Sequence, residues 1–306
     1  MFTNSQPAQA PRRVLFTADD FGLSPFLNQA VALAHRFGLL RNASLMAGGG
    51  AFSQAVTLSR NFPGLCLGVH LTLIQGRAIL PPPAIPNLVD SEGCFPNDPV
   101  AAGWRYFFNP ALLPEIRREL RAQIEMVLQA GITVWQLNGH LNLHLHPRLV
   151  SLVVDLAKEY GIPALRLARE DWRTTLALAP DGPLPKTALG CIFAVLSRRA
   201  RRLAASSGLF VNDHLFGLTH DGRLTEDYLV RLMPRLKPGL TEICGHPALA
   251  ADPALREAAA GYLRQEEFNA LVSPRLKRVL QENGIEVTDF REVYQGRSGG
   301  LGHFSP

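Results

Sequence analysis

The sequence predicts an α/β protein in which a parallel sheet closes, or nearly closes, into a (β/α) barrel. Three observations point there. Short apolar runs that do not alternate with polar residues read as strands buried on both faces. Each is followed by a helix-length segment, giving about seven βα units in one run, which favours a barrel over an open sheet. Asp and His residues stand at the ends of several of these strands, where barrel enzymes gather their site. The 306 residues are 47% hydrophobic, enough for a large core, so disorder and a disulfide-stapled scaffold are excluded. At about 150 residues per domain the length suggests two domains, but an α/β barrel often uses it as one.

Residues 1–12 read as a flexible leader, after which Val14-Leu15-Phe16-Thr17-Ala18 is a buried strand ending in Asp19-Asp20. Ser24-Pro25 supplies an N-cap and first-turn pair for a helix that runs to Phe37 and stops at Gly38. Ala43 to Ala47 is a second strand, stopped by three glycines, and Ala51 to Arg60 a second helix. Cys66 to Leu73 is a third strand. A Pro-rich excursion then runs from Gln75 to Pro114, long enough to suggest a lid or binding loop. Helix Glu115 to Gln129, strand Val134 to His140, helix Pro147 to Tyr160 and strand Ala164 to Ala168 restore the alternation. A second excursion spans Arg169 to Gly208. Strands Leu209 to His214 and Leu240 to Cys244 follow, with helices at Thr225 to Arg235, Pro253 to Tyr262 and Ser273 to Glu282. Residues 296–306 read as a flexible tail.

Composition narrows the partners. Lys and Arg number 31 against 26 Asp and Glu, a net charge of +5 that, with no matching motif, does not suggest nucleic acid. Four cysteines without CxxC spacing read as reduced thiols, and the first residues lack the apolar core of a secretory signal. The longest apolar run, Ala188 to Leu196, is far short of the roughly 20 residues that span a bilayer. A cytoplasmic protein is expected.

The chemistry lies where polar residues interrupt these strands. Asp19-Asp20 ends the first, His70 is late in the third, His140 closes the Val134 strand and His246 follows Leu240 to Cys244. Singly, the Asp pair would suit a turn or cap, His70 a core histidine and His246 a helix-entry cap. Together they converge on one end of the barrel. Three of the nine histidines, His140, His144 and His146, fall within seven residues. In an extended chain His140, Asn142, His144 and His146 share one face, although His146 also suits a cap on the helix that follows. Imidazole with carboxylate suits a divalent ion, and one Asp with two His leaves positions open for water and substrate. A neighbouring carboxylate could take a proton from water and a separate His could protonate a leaving amine. The pattern predicts metal-assisted hydrolysis.

Thr17-Ala18-Asp19-Asp20-Phe21-Gly22, Gly68-Val69-His70-Leu71, His144-Leu145-His146-Pro147 and Glu242-Ile243-Cys244-Gly245-His246-Pro247, in this order along the chain, resemble the YdjC-like carbohydrate deacetylases. Val211-Asn212-Asp213-His214-Leu215-Phe216-Gly217 and Leu80-Pro81-Pro82 resemble the hopanoid-biosynthesis-associated (HpnK-type) branch. The resemblance implies a distorted TIM-like barrel over residues 13–295, a single domain with long insertions. It implies one divalent ion (Mg, Zn or Co) held by Asp20, His70 and His140, with Asp19 as general base and His246 as general acid. Asn142, His144, His214 and Glu242 would bind substrate or support the ligands. Asn142 departs from the family pattern, in which His is usual.

The implied reaction removes the acetyl group from an N-acetylglucosamine unit, on a hopanoid glycolipid in that branch. A lipid-linked substrate would bring peripheral contact with the inner membrane surface, to which the apolar and Arg-rich stretch Cys191 to Ser207 is suited. An ordinary surface helix would explain that stretch too. Alternatives are a deacetylase of soluble chitooligosaccharide or diacetylchitobiose, a catalytically degenerate sugar-binding component, and a sugar isomerase. A homo-oligomer is compatible with all of them.

Overall fold

A computed structural model describes residues 10–249 and 261–298. Its centre is a nine-stranded sheet in which every ladder is parallel. The strands are β1 (Arg12–Phe21), β2 (Asn42–Leu45), β3 (Cys66–Leu71), β4 (Val134–Gly139), β5 (Ala164–Leu165), β6 (Phe210–Val211), β7 (His214–Phe216), β8 (Gly239–Gly245) and β9 (Ile285–Val287). Their spatial order is β6-β5-β4-β3-β2-β1-β8-β7. β9 lies beside only the first residues of β1, Arg12 to Val14, and β2 takes that side from Thr17 onward. The sheet curls until its two ends nearly meet, and one parallel bridge, Glu170 to Leu215, spans the gap. The expected α/β, TIM-like architecture is therefore present as a curled, incompletely closed barrel.

Helices α1 (Pro25–Phe37), α2 (Phe52–Asn61), α4 (Leu113–Gln129), α5 (Val150–Glu159), α8 (Glu226–Leu232) and α10 (Pro274–Glu282) match the expected ones within a few residues. Ser24, Thr225 and Ser273 cap their helices with side-chain oxygens. The helix expected at Pro253 to Tyr262 lies mostly outside the described residues, as do residues 1–9 and 299–306. Within the expected leader Arg12 already belongs to β1, and α11 (Phe290–Ser298) runs into the expected tail.

Two expectations are corrected, and two elements are added. The strand expected at Leu209 to His214 is two strands at opposite edges of the sheet. Between them the buried Asn212 side chain bonds Leu167 N at 2.7 Å and Leu167 O at 2.8 Å, taking the place of ladder bonds while the chain turns from β5 toward β8. Both excursions are built rather than loose. The first carries α3 (Pro99–Phe108), capped by Asp98, and the second carries α6 (Trp172–Leu178) and α7 (Pro183–Ser206). Last, α9 (Arg264–Leu271) and β9 were not read from sequence. One is too polar to show a stripe and the other too short to show a period.

Buried carboxylates of α4 pin the Pro-rich excursion. Glu119 accepts from Ile79 N and Leu80 N at 2.9 and 3.0 Å, and Glu115 from Asn87 N at 3.0 Å. Proline-broken backbone has few partners of its own, so α4 supplies them.

Candidate active site

The carboxyl ends of β1, β3, β4 and β8 open into a cavity of about 600 Å³. Consecutive strand residues normally point to opposite faces. At the end of β1 the register with β2 shifts between Ala18 and Phe21, and Asp20 takes a left-handed φ of 60°. This bulge turns Asp19 and Asp20 toward the same cavity.

Asp20 faces two imidazoles. Its Oδ1 lies 3.3 Å from His70 Nε2 and 3.1 Å from His140 Nδ1. Asp20, His70 and His140 each offer one ligand atom, all within 4.8 Å of one another, and so would hold a single divalent ion. Two features fit these residues to such an ion. His70 Nε2 is buried and makes no hydrogen bond, and Gln75 Oε1 stands 3.4 Å from His140 Nε2, placed to accept its N–H and leave Nδ1 as a lone-pair donor. Burial works against ionising Asp20, but the imidazole of His140 first, and that of His70 beside it, outweigh burial and hold its carboxyl well below the usual range.

Asn138 stands between His70 and a buried guanidinium. With Oδ1 toward His70 Nδ1, 2.8 Å away, its amide accepts that N–H and keeps the Nε2 lone pair free. Turned over, Oδ1 meets Arg166 Nη2 at 2.9 Å instead. An ion on Nε2 requires the first arrangement.

Asp19 has a different partner. Arg166, just past β5 and fully buried, grips it with two parallel bonds, Nη1 to Oδ2 at 2.6 Å and Nη2 to Oδ1 at 2.9 Å. The same guanidinium bonds Glu242 through Nε and Nη2, and Thr17 and Gln136 complete the Glu242 shell. Burial alone would raise the pKa of Asp19. Arg166 outweighs that and keeps Asp19 ionised.

Across the cavity His246 Nδ1 pairs with Asp221 Oδ1 at 3.2 Å, while its Nε2 lies 4.0 Å from Asp20 Oδ2. Its backbone N–H is held by Glu267 Oε2 at 2.6 Å, and Tyr262 donates its hydroxyl to Asp221. Burial disfavours charge on the ring, but Asp221, with smaller help from Asp20 and Glu267, overrides it and pushes the pKa up to about 10. His246 is thus a cation facing a carboxylate cluster.

The model of the YdjC-like protein family matches residues 13–282. The chain belongs to the YdjC-like family. Among similar proteins is a carbohydrate deacetylase of Vibrio cholerae serotype O1 (strain M66-2), 32% identical over 91% of this chain and 95% of that one. Another, from Brevibacillus brevis, is 28% identical over 92% of this chain and 99% of its own. The crystal structure of an Enterococcus faecalis V583 protein, described as a candidate in cellobiose-phosphate cleavage, superposes with a TM-score of 0.72 at 24% identity. It covers 93% of this chain and 99% of that one, and shows the shared fold.

In this YdjC-like chain the expected site residues divide. Asp19, Asp20, His70, His140, Asn142 and His246 all line the cavity. The extended His140 cluster is corrected: Leu141 and Asn142 adopt left-handed φ of 52° and 55°, so the chain coils at once and residues 140–146 do not share a face. His144 is driven inward and its Nε2–H donates to Arg166 O at 3.0 Å; burial pushes its pKa down to about 3, so it is neutral. A Cβ on Gly139 would meet His144 Cβ at 3.1 Å, so a side chain there would press on the turn that holds His144. His146 accepts from Arg148 N, as a helix-entry cap would. Glu242 is wholly buried and does not line the cavity; Arg166 links it to Asp19, which does. His214 does not line the cavity, because its strand position is level with Thr241, three residues before Cys244 on β8.

Sequence reasoning missed Arg166, Asp221, Gln75 and Asn138. An arginine inside the apolar run Ala164-Leu165-Arg166-Leu167-Ala168 was a usable signal, because a charge there needs a buried partner. Asp221 and Gln75 lie in turns that give no periodic sign.

Proposed function

We propose that this chain is a metal-dependent carbohydrate deacetylase that hydrolyses the acetamide of an N-acetylglucosamine unit. The observation carrying this reading is the division of the cavity into a metal-ligand trio, a tethered carboxylate beside it and a protonated histidine opposite. That the relatives are carbohydrate deacetylases supports the deacetylase part of this reading.

Asp20, His70 and His140 would hold one divalent ion, Mg, Zn or Co, which supplies Lewis acidity when bound. Asp19, kept anionic by Arg166, accepts a proton from the attacking water. His246, kept charged by Asp221, gives a proton to the departing amine nitrogen. Glu242 and His144 act one layer out, Glu242 on the Arg166 guanidinium and His144 on its carbonyl. The Asn142 side-chain oxygen, without a hydrogen-bond partner and beside the cavity, is free for a sugar hydroxyl or amide. The trio is complete without Asn142, which favours an active enzyme over a degenerate binder.

The substrate we favour is lipid-linked, as the resemblance to the hopanoid branch implies, and the enzyme would meet it at the cytoplasmic face of the membrane. Leu23, Ile74, Leu143 and Leu218 give the cavity apolar walls that suit such a substrate. The deciding experiment measures acetate released from an N-acetylglucosaminyl hopanoid and from diacetylchitobiose, with and without chelator. Chelator-sensitive release from the lipid is expected. Release from the soluble sugar alone would reassign the substrate, and silence on both would reject the activity.

A further inference from the structure

Exposed apolar side chains concentrate on two helices that border the cavity. Among the described residues, six of the eleven large hydrophobic side chains that face solvent lie on two helices. Val100, Trp104 and Phe108 stand on α3 at 66, 59 and 71% exposure, and Leu184, Ile192 and Val195 on α7 at 82, 56 and 62%. Both helices border the cavity, α3 through Pro99 and Val100 and α7 through Leu189, Phe193 and Leu196. Core packing does not use these outward faces: α3 is anchored through buried Ala102 and Tyr106, and α7 through Gly190, Ser197, Ala200 and Ala204. An exposed apolar patch of this kind marks a contact surface.

Charge says which surface. The exposed stripe of α7 runs Leu184, Ala188, Cys191, Ile192 and Val195, and then becomes Arg198, Arg199 and Arg202. These three guanidiniums have no ion-pair or hydrogen-bond partner among the described residues. A second protein surface would need carboxylates set at matching points, whereas an anionic lipid surface offers mobile phosphates anywhere along the stripe. Trp104 stacked on Phe108 at 5.4 Å gives α3 the amphipathic aromatic character that favours headgroup depth.

We propose that α3 and α7 form one docking face that seats the cavity mouth on an anionic bilayer, with the apolar side chains entering the headgroup boundary and the arginines paired to lipid phosphate. Described residues contain no helix long and apolar enough to cross a membrane, so the contact is peripheral. The proposal names the surface through which the lipid-linked substrate reading operates and rests on that reading.

The test floats the full chain with vesicles of phosphatidylglycerol and phosphatidylcholine, and with phosphatidylcholine alone, at low and high salt. Binding is expected to the anionic vesicles at low salt. It should fall at least tenfold in Ile192→Glu/Val195→Glu and in Arg198→Ala/Arg199→Ala/Arg202→Ala, with acetate release from diacetylchitobiose in buffer unchanged. Flotation that is absent, or equal in wild type and both variants, overturns the proposal. So does a sedimentation profile in which wild type is a non-floating dimer and Ile192→Glu/Val195→Glu a monomer, which would make the face a contact between two copies. No acetate from either substrate, with flotation intact, would instead reject the deacetylase reading and leave the docking face standing.

Discussion

Asp19 and Asp20 are adjacent, buried and both ionised, yet their surroundings differ, and the function we propose gives them different work. A carboxylate held by a bidentate guanidinium keeps its charge without help from a metal, whereas one faced by two imidazoles completes a ligand set. Asp19→Asn is therefore expected to keep ion affinity within about threefold and to lower deacetylation by 10²–10⁴, the usual span for a lost general base. His70→Ala should lose ion affinity and activity together. Titration with ion and acetate release on both variants decide it, and equal loss of affinity would merge the two roles. The same scale holds a pH prediction. His246 is raised from 6.5 to about 10, so its pairing with Asp221 contributes stability fully below about 6.5 and loses it as pH rises through about 10. Removing Asp221 removes the largest influence that raises it. Asp221→Asn should move the alkaline limb of the kcat/KM profile down by at least one pH unit and leave the acid limb in place. An unmoved alkaline limb would mean that His246 is not the group titrating there.

At the scale of elements, α4 does more than cover the sheet. Its fully buried Glu119 holds two backbone N–H groups of the Pro-rich excursion and also receives Gln123 Nε2 at 2.8 Å. Truncation leaves buried donors unpaired, and hydrogen bonds to a charged group are worth about 1.5–3 kcal/mol each, partly offset by the desolvation of the acid itself. Glu119→Ala is expected to cost about 2–4 kcal/mol in urea unfolding. A cost below about 1 kcal/mol would show that the excursion holds its shape without α4. This excursion matters to the site because it carries Gln75, behind His140, and α3, beside the mouth.

For the whole molecule, the trio sits on three strands distant in sequence: Asp20 ends β1, His70 is on β3, and His140 follows β4. An ion bound only by the assembled site stabilises the native state by mass action, about 2.7 kcal/mol at a hundredfold excess over its Kd. A melting-temperature rise of a few degrees with Zn, Co or Mg, reversed by chelator and absent in His70→Ala, is the expected result. A rise that persists in His70→Ala would place the ion elsewhere.

The unbroken apolar strand runs, the Ser24, Thr225 and Ser273 helix starts, and the convergence of Asp19, Asp20, His70, His140 and His246 were legible because each follows from local patterning, cap chemistry or position at a strand end. What Asn212 and the 140–146 turn do was not legible. Asn212 acts through hydrogen bonds to Leu167, far along the chain, and the turn through a bond to Arg166 O and left-handed backbone at Leu141 and Asn142, none of which any spacing announces. The sequence alone therefore determined the fold class and the residues that could meet. Only the tertiary structure decided which carboxylate Arg166 grips, that Asp221 charges His246, and that His214 stays outside the cavity. Those pairings arise where the curled sheet brings distant side chains together in a dry interior, and there an unpaired charge costs too much to remain.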